Sequence, residues 1–153
     1  MKIALGGDHR GAAAAKQLAE SLKARGHDVV VAGMLSGETC DYPIPAHQVG
    51  TLVAAGKAER GILICGTGIG TCIAANKVKG VRAALVHDEL TAQISRSHND
   101  ANIICLSADL LGQRLIEKIT DVWLVSPFEG GRHARRLRRV AAMEEGKDPA
   151  ATD

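Results

Sequence analysis

The sequence predicts an α/β fold in which a doubly wound parallel sheet carries helices on both faces. Three observations predict it. Short β-branched runs such as VVVAG at 29–33 and ILI at 62–64 are continuously apolar rather than alternating, the pattern of strands buried on both sides. Stretches with apolar residues at helical spacing separate these runs along the whole chain. Aromatic residues supply only 2% of the sequence, so the core must be Ala, Val, Ile and Leu, which suits helices packed closely on a sheet.

Taken in order, KIALGG at 2–7 reads as the first strand. It leads into a helix with Ala12, Ala15, Leu18, Ala19 and Leu22 on one face and Gly26 as its stop. The second strand spans 29–33 and the third 62–64, with 81–86 and 102–106 following. Helical patterns cover about 44–57, 70–78, 89–98 and 112–125. A final helix over 132–145 sets Leu137, Val140 and Ala141 on one side among arginines. It follows the last strand and that strand's covering helix, so it is expected to reach a partner subunit. Residues 1–145 then form a single domain, and GKDPAATD at 146–153 is expected to be a flexible tail.

Bulk properties exclude several classes. A formal net charge of +2 is too near balance for nucleic-acid binding across the surface. No apolar run approaches the ~20 residues of a membrane helix. MKIALGGDHRG reaches glycine too early for a secretory leader, which makes the cytoplasm the expected compartment. Cys40, Cys65, Cys72 and Cys105 show no CxxC pair and no zinc spacing, so free thiols in a reducing compartment are expected rather than a disulfide framework.

Chemistry concentrates in ILICGTGIGTCIAANK at 62–77. Ligands of doubly wound sheets bind beyond the carboxyl ends of strands, and Asp8, Cys65 and His87 fall at such ends. Gly66, Gly68 and Gly70 let several N–H groups converge at a helix start, an arrangement that attracts an anion. The same field would favour a thiolate at Cys65, below the ~8.5 of a free cysteine. The plainer reading is a buried small side chain followed by a tight turn. The stretch is not a Walker loop, and it is only loosely like a dinucleotide fingerprint.

Elsewhere, Asp8 and His9 could share a proton, or Asp8 could cap the first helix. His98-Asn99-Asp100 closes a helix on what is expected to be the same rim, or is merely a polar turn. Arg132 and Arg136, at i and i+4 with His133 beside them, could grip a phosphate in a fork or form a solvated charged face.

In order along the chain, GGDHRG, DYP at 41–43, ICGTGIGTCIAANKVKGVRAAL, SRSHNDANI and EGGRHARRLRRV resemble one family, the ribose-5-phosphate isomerase B group with its allose and galactose phosphate relatives. The resemblance implies a Rossmann-like three-layer α/β/α sandwich on a five-stranded parallel sheet. It also implies a homodimer or tetramer with the active site shared between subunits, and a cofactor-independent aldose–ketose isomerisation of ribose 5-phosphate through a cis-enediolate. By that likeness Cys65 is the carbon base, Thr67 moves protons between oxygens, and His98, supported by Asp8, opens the sugar ring. Gly66, Gly68 and Gly70 hold the enediolate, while His9, Asn99, Arg132, His133 and Arg136 hold the substrate and its phosphate. Members lacking the cysteine use a glutamate where this chain has Ile69. Relatives often carry arginine where this chain has Asp109, which leaves Arg114 as the expected compensating cation. Other phosphosugars, a non-catalytic phosphosugar-binding module and a cysteine phosphocarrier are the competing readings.

Overall fold

The computed structural model describes residues 1–33 and 38–152. Five strands form one sheet: β1 (Lys2–Gly7), β2 (Asp28–Val31), β3 (Arg60–Cys65), β4 (Ala83–Leu85) and β5 (Ile103–Ser107). All pairings are parallel, in the order β2-β1-β3-β5-β4. Each connection carries a helix: α1 (Ala12–Ala24), α2 (Pro43–Ala54), α3 (Ile69–Ala75) and α4 (Glu89–Ser97), with α5 (Gln113–Val125) and α6 (Arg132–Glu144) after the last strand. The expected doubly wound sandwich is what the chain forms.

Alternation along the buried strands assigns each layer. Ile3, Leu5, Ile62, Ile64, Ile104 and Leu106 pack against α1, α4 and α5, where Leu18, Leu22, Ala92, Ile116 and Trp123 meet them. Ala4, Leu63, Ile103 and Cys105 face the other way, toward Ala46, Val49 and Val53 of α2 and Ala75 of α3. With both faces covered, the continuous apolar runs have their physical cause.

Chain direction falls between β1 and β3, since β2 lies to one side of β1 and everything later lies to the other. The loops at the carboxyl ends of these two strands therefore part and leave a crevice. Gly11 is the hinge of close approach there. A methyl built on it would lie 2.0 Å from the Ile64 carbonyl oxygen, so only glycine lets α1 start against the end of β3.

Two elements are shorter than their apolar pattern suggests. α3 stops at Ala75 because the Asn76 amide turns to edge strand β4, donating to the Ala83 carbonyl at 2.9 Å and accepting from the Ala83 N–H at 2.9 Å. β4 itself begins only at Ala83, since the Arg82 N–H goes to the Asn102 side chain. Beyond α6, Pro149–Ala151 form a 3-10 turn, and the Thr152 carbonyl accepts from Arg139 Nε at 3.0 Å. Asp153 lies outside the described residues.

Candidate functional site

Cys65 closes β3, and its side chain turns to the α2/α3 side with only 4% exposure. Its Sγ is not sealed among hydrocarbons. The Gly68 N–H donates to it at 3.1 Å, and the Thr71 hydroxyl lies 3.5 Å away. Gly68 can present that N–H because it sits in the left-handed region at φ 78. Thr71 Oγ1 also donates to the Gly68 carbonyl at 3.1 Å, so its single proton has two candidate acceptors. Loss of the thiol proton would turn it toward sulfur. The arrangement offers an anionic sulfur two polar neighbours inside a low-dielectric wall.

The amide loop is only partly committed to itself. The Ile69 N–H goes to Thr67 Oγ1 at 3.3 Å, leaving Thr67 exposed at the loop tip. The first-turn N–H groups of α3 at Gly70 and Thr71 have no helical acceptor, as at any helix start. Behind the loop, Ser107 Oγ donates to the Gly66 carbonyl at 2.6 Å, and the Asp109 N–H donates to the same oxygen at 3.0 Å. Tyr42 lies over Gly70 so closely that a methyl there would meet its ring at 2.9 Å. Tyr42 of the DYP motif is thus a wall of the loop.

Across the crevice, Asp8 is buried and Oδ1 accepts from the N–H groups of Arg10 at 3.0 Å and Gly11 at 2.9 Å. The capping role is therefore real for this oxygen. His9 is exposed, with Nδ1 3.2 Å from the Cys40 carbonyl oxygen. Asp109 pairs with Arg10, Oδ2 accepting from Nε at 3.1 Å and from Nη2 at 2.7 Å. A methyl built on Gly66 would be 2.9 Å from both Arg10 Nε and Asp109 Oδ2. Within the chain, Arg10 and not Arg114 brings a guanidinium to this loop. Arg114 is exposed in a groove with Glu89 and Lys118.

The remaining site residues lie elsewhere, which corrects the expectation that His98-Asn99-Asp100 shares the rim of Cys65. Helix α4 runs back from the carboxyl edge, so its last turn is at the amino edge. There the Asn102 N–H bonds the Arg82 carbonyl, and the Asn102 carbonyl accepts from the Gly61 N–H. Cys65 is four residues farther along β3 than Gly61, about 13 Å at ~3.3 Å per residue. Asp8 and His98 are thus at opposite ends of the sheet and cannot touch within one chain.

At the amino edge the second cluster is well built. Arg96, 4% exposed, donates to Asp100 Oδ1 at 2.6 Å and to the Ala101 carbonyl at 2.8 Å, while Arg82 Nη2 donates to Asp100 Oδ2 at 3.0 Å. This network holds Asp100 at φ 44 and presents His98, with Asn99 exposed beside it. The His98 ring stacks on His133 of α6, centroids 4.1 Å apart and planes 12° apart. Burial and the nearby His98, Arg132 and Arg136 charges hold the His133 imidazole below its ordinary range. Glu129 Oε2 lies 3.9 Å from Nε2 of both rings.

Those three side chains bring their ligating atoms within 4.8 Å. The chemistry favours an anion over a cation. Arg132 Nε points at His133 Nε2 from 3.4 Å, taking up its lone pair, and the guanidinium charges would repel a dication. Arg132 and Arg136 are exposed on α6.

Thr71, Tyr42, Arg10 and Glu129 stand beside the candidate site residues and were given no role from the sequence, although all four fall in the motifs quoted there. Thr71 carried the plainest signal, as a hydroxyl in the first turn after GTGIG.

The sequence profile of the Ribose/Galactose Isomerase family matches residues 3–140. Ribose-5-phosphate isomerase B of Escherichia coli is 42% identical over 147 residues, 96% of this chain and 99% of that protein. D-erythrulose-4-phosphate isomerase of Pectobacterium atrosepticum is 44% identical over 109 residues, 71% of this chain and 72% of that protein. The crystal structure of Mycoplasma genitalium ribose-5-phosphate isomerase B with bound ribulose 5-phosphate superposes with a TM-score of 0.90 at 42% identity, covering 94% of this chain and 96% of that one.

Proposed function

The chain belongs to the ribose/galactose isomerase family and is a sugar-phosphate isomerase; we propose that it interconverts ribose 5-phosphate and ribulose 5-phosphate with Cys65 as the carbon base. The observation that carries the cysteine assignment is the Sγ placed at the switch-point crevice with the Gly68 N–H at 3.1 Å and the Thr71 hydroxyl beside it. The loop position at which some relatives carry a glutamate is Ile69 here, and the Asp109 carboxylate near the loop is taken up by Arg10.

We propose further that two copies build each site. Cys65, Thr67, Asp8 and His9 sit at the carboxyl edge of the sheet, and His98, Asn99, Arg132, His133 and Arg136 at the amino edge. A second copy resolves the separation by bringing its amino-edge cluster against the first copy's crevice, as symmetric dimers do. The apolar residues Leu137 and Val140 of α6 share a groove with Val81, Ala83, Ala84 and Ala101 beside edge strand β4, which supports a partner on that side.

The sequence of events follows from the groups. His98 relays a proton from the anomeric hydroxyl to the ring oxygen, ending in the protonation state in which it began, and the furanose opens. The Cys65 thiolate takes the proton on carbon 2, and the electron pair moves to the carbonyl oxygen on carbon 1. The N–H groups of the Gly66–Gly70 loop bear the resulting enediolate, the charge that exists only on the way across the barrier. Thr67 transfers a proton between the two oxygens, and the Cys65 thiol returns its proton to carbon 1. Arg132, Arg136, His133 and His9 hold the phosphate throughout, so that the reacting carbons meet the sulfur in one register.

The test is a pair of variants and a substrate panel. Cys65→Ala and Cys65→Ser should lose isomerisation while still binding the phosphosugar by calorimetry; full turnover by Cys65→Ala rejects the base assignment. Four-, five- and six-carbon aldose phosphates compared by kcat/KM decide chain length, and a preference for the four-carbon substrate would place this chain with the erythrulose phosphate enzyme.

A further inference from the structure

The amino-edge cluster contains one group of the wrong sign for a phosphate grip. Four groups there favour an anion: Arg132, His133 and Arg136 from α6 and His98 from α4. Glu129, in the turn between α5 and α6, projects a carboxylate into their midst, with Oε2 3.9 Å from Nε2 of both histidines. A dianionic phosphate seated on the same groups would meet that carboxylate as a like charge at close range.

The placement is built rather than incidental. The Glu129 N–H donates to the Ser97 carbonyl at 3.0 Å, tying the turn to the end of α4 directly before His98. The His133 N–H donates to the Gly130 carbonyl at 3.0 Å, fixing the other side of the turn to α6. Backbone bonds on both sides thus aim this residue at the histidine pair. The side chain itself is 58% exposed and stands 3.9 Å from each ring, beyond hydrogen-bond reach. It is held weakly enough to leave.

We propose that Glu129 is a resident counter-ion of the phosphate grip, occupying the cationic cluster when substrate is absent and swinging into solvent when the phosphate arrives. The cluster is then never left uncompensated, and each phosphate that binds must displace a tethered carboxylate. Glu129 thereby sets affinity for the phosphate end of the substrate and touches none of the reacting carbons. This inference rests on the reading of Arg132, His133 and Arg136 as the phosphate grip.

Removing the charge should strengthen binding, which a merely structural role would not do. Calorimetric titration of the full chain with inorganic phosphate should show Glu129→Gln binding about two- to fivefold more tightly than the unmodified protein, the scale of a partly exposed ion pair. KM for the sugar phosphate should fall in the same proportion. Glu129→Ala should behave alike, which separates lost charge from a new amide contact. Phosphate affinity unchanged or weakened in both variants overturns the counter-ion role. Arg136→Ala is the internal reference: if it weakens phosphate binding while the Glu129 variants change nothing, only this inference fails. If the unmodified protein binds no phosphate, or Arg136→Ala leaves binding intact, the grip itself is misplaced and the counter-ion falls with it.

Discussion

Gly68→Ala tests how the sulfur is held. Gly68 sits at φ 78, where an L side chain costs about 1–2 kcal/mol. Its methyl would lie 2.5 Å from Leu85 Cδ1 and 3.2 Å from the Leu106 carbonyl carbon and oxygen. Leu85 can shift its tip, but the β5 backbone cannot, and crowding of this kind adds about 1–2 kcal/mol. The sum, about 2–4 kcal/mol, lowers Tm by roughly 6–12 °C at about 3 °C per kcal/mol for a chain of this size. Gly26→Ala is the control. Gly26 lies at φ 86 with nothing within 4 Å of a built methyl, so it incurs only the backbone cost, roughly 3–6 °C. Calorimetric melts give both values. Displacing the Gly68 N–H from Cys65 Sγ should also lower kcat by about tenfold or more, whereas Gly26→Ala leaves kcat alone. Equal melting shifts in the two variants, or an unchanged kcat in Gly68→Ala, would refute the claim that this glycine is packed against β5 to aim its amide at sulfur.

Three further outcomes are expected. Arg136→Ala should raise KM for the phosphosugar much more than for the unphosphorylated sugar; an equal rise for both would assign Arg136 to structure. Cys72 should be the first thiol alkylated, with a labelling midpoint near 7, because its hydrogen bond with Cys105 brings the thiol down to about 7 while burial pushes Cys105 up. A midpoint near 8.5 by mass spectrometry of labelled peptides would contradict that. His133 is favoured in its neutral form by burial, so the unfolded chain binds its proton more readily. Its contribution to stability is level above its ordinary value near 6.5 and declines as pH falls below it. Denaturant unfolding at pH 7.5 and 5.5 should show a smaller acid loss in His133→Gln than in the unmodified chain; the same loss in both would remove His133 as the cause.

Much of this was legible beforehand because it depends on local pattern. Five apolar runs became five strands, and the glycines at 66, 68 and 70 sit at the end of β3, facing the crevice. What was not legible depends on direction and distance. The placement of His98 on the rim of Cys65 failed because it took the polar turn by itself: in a parallel sheet a helix that leads into a strand ends at that strand's amino end, so the order α4 then β5 already sets His98 on the edge away from Cys65. Arg10 and Asp109 are 99 residues apart, and neither type alone announces the other. Asn76 ended α3 early through a side-chain bond to an edge strand, which helical periodicity cannot register. Glu129 opens the EGGRHARRLRRV motif, but its place beside the stacked histidines depends on α4 meeting α6, which the motif alone does not show.

The central claim is that sulfur and imidazole act in one site although a single chain holds them at opposite ends of its sheet. Subunit complementation measures it directly. Cys65→Ala and His98→Ala proteins, each expected to be inactive, are unfolded, mixed in equal amounts and refolded, so that the proposed dimers form at random. Random pairing makes about half of the dimers mixed, each with one intact site of two, so about a quarter of the unmodified specific activity should return. No recovered activity, with mixed dimers verified by mass, would contradict the account.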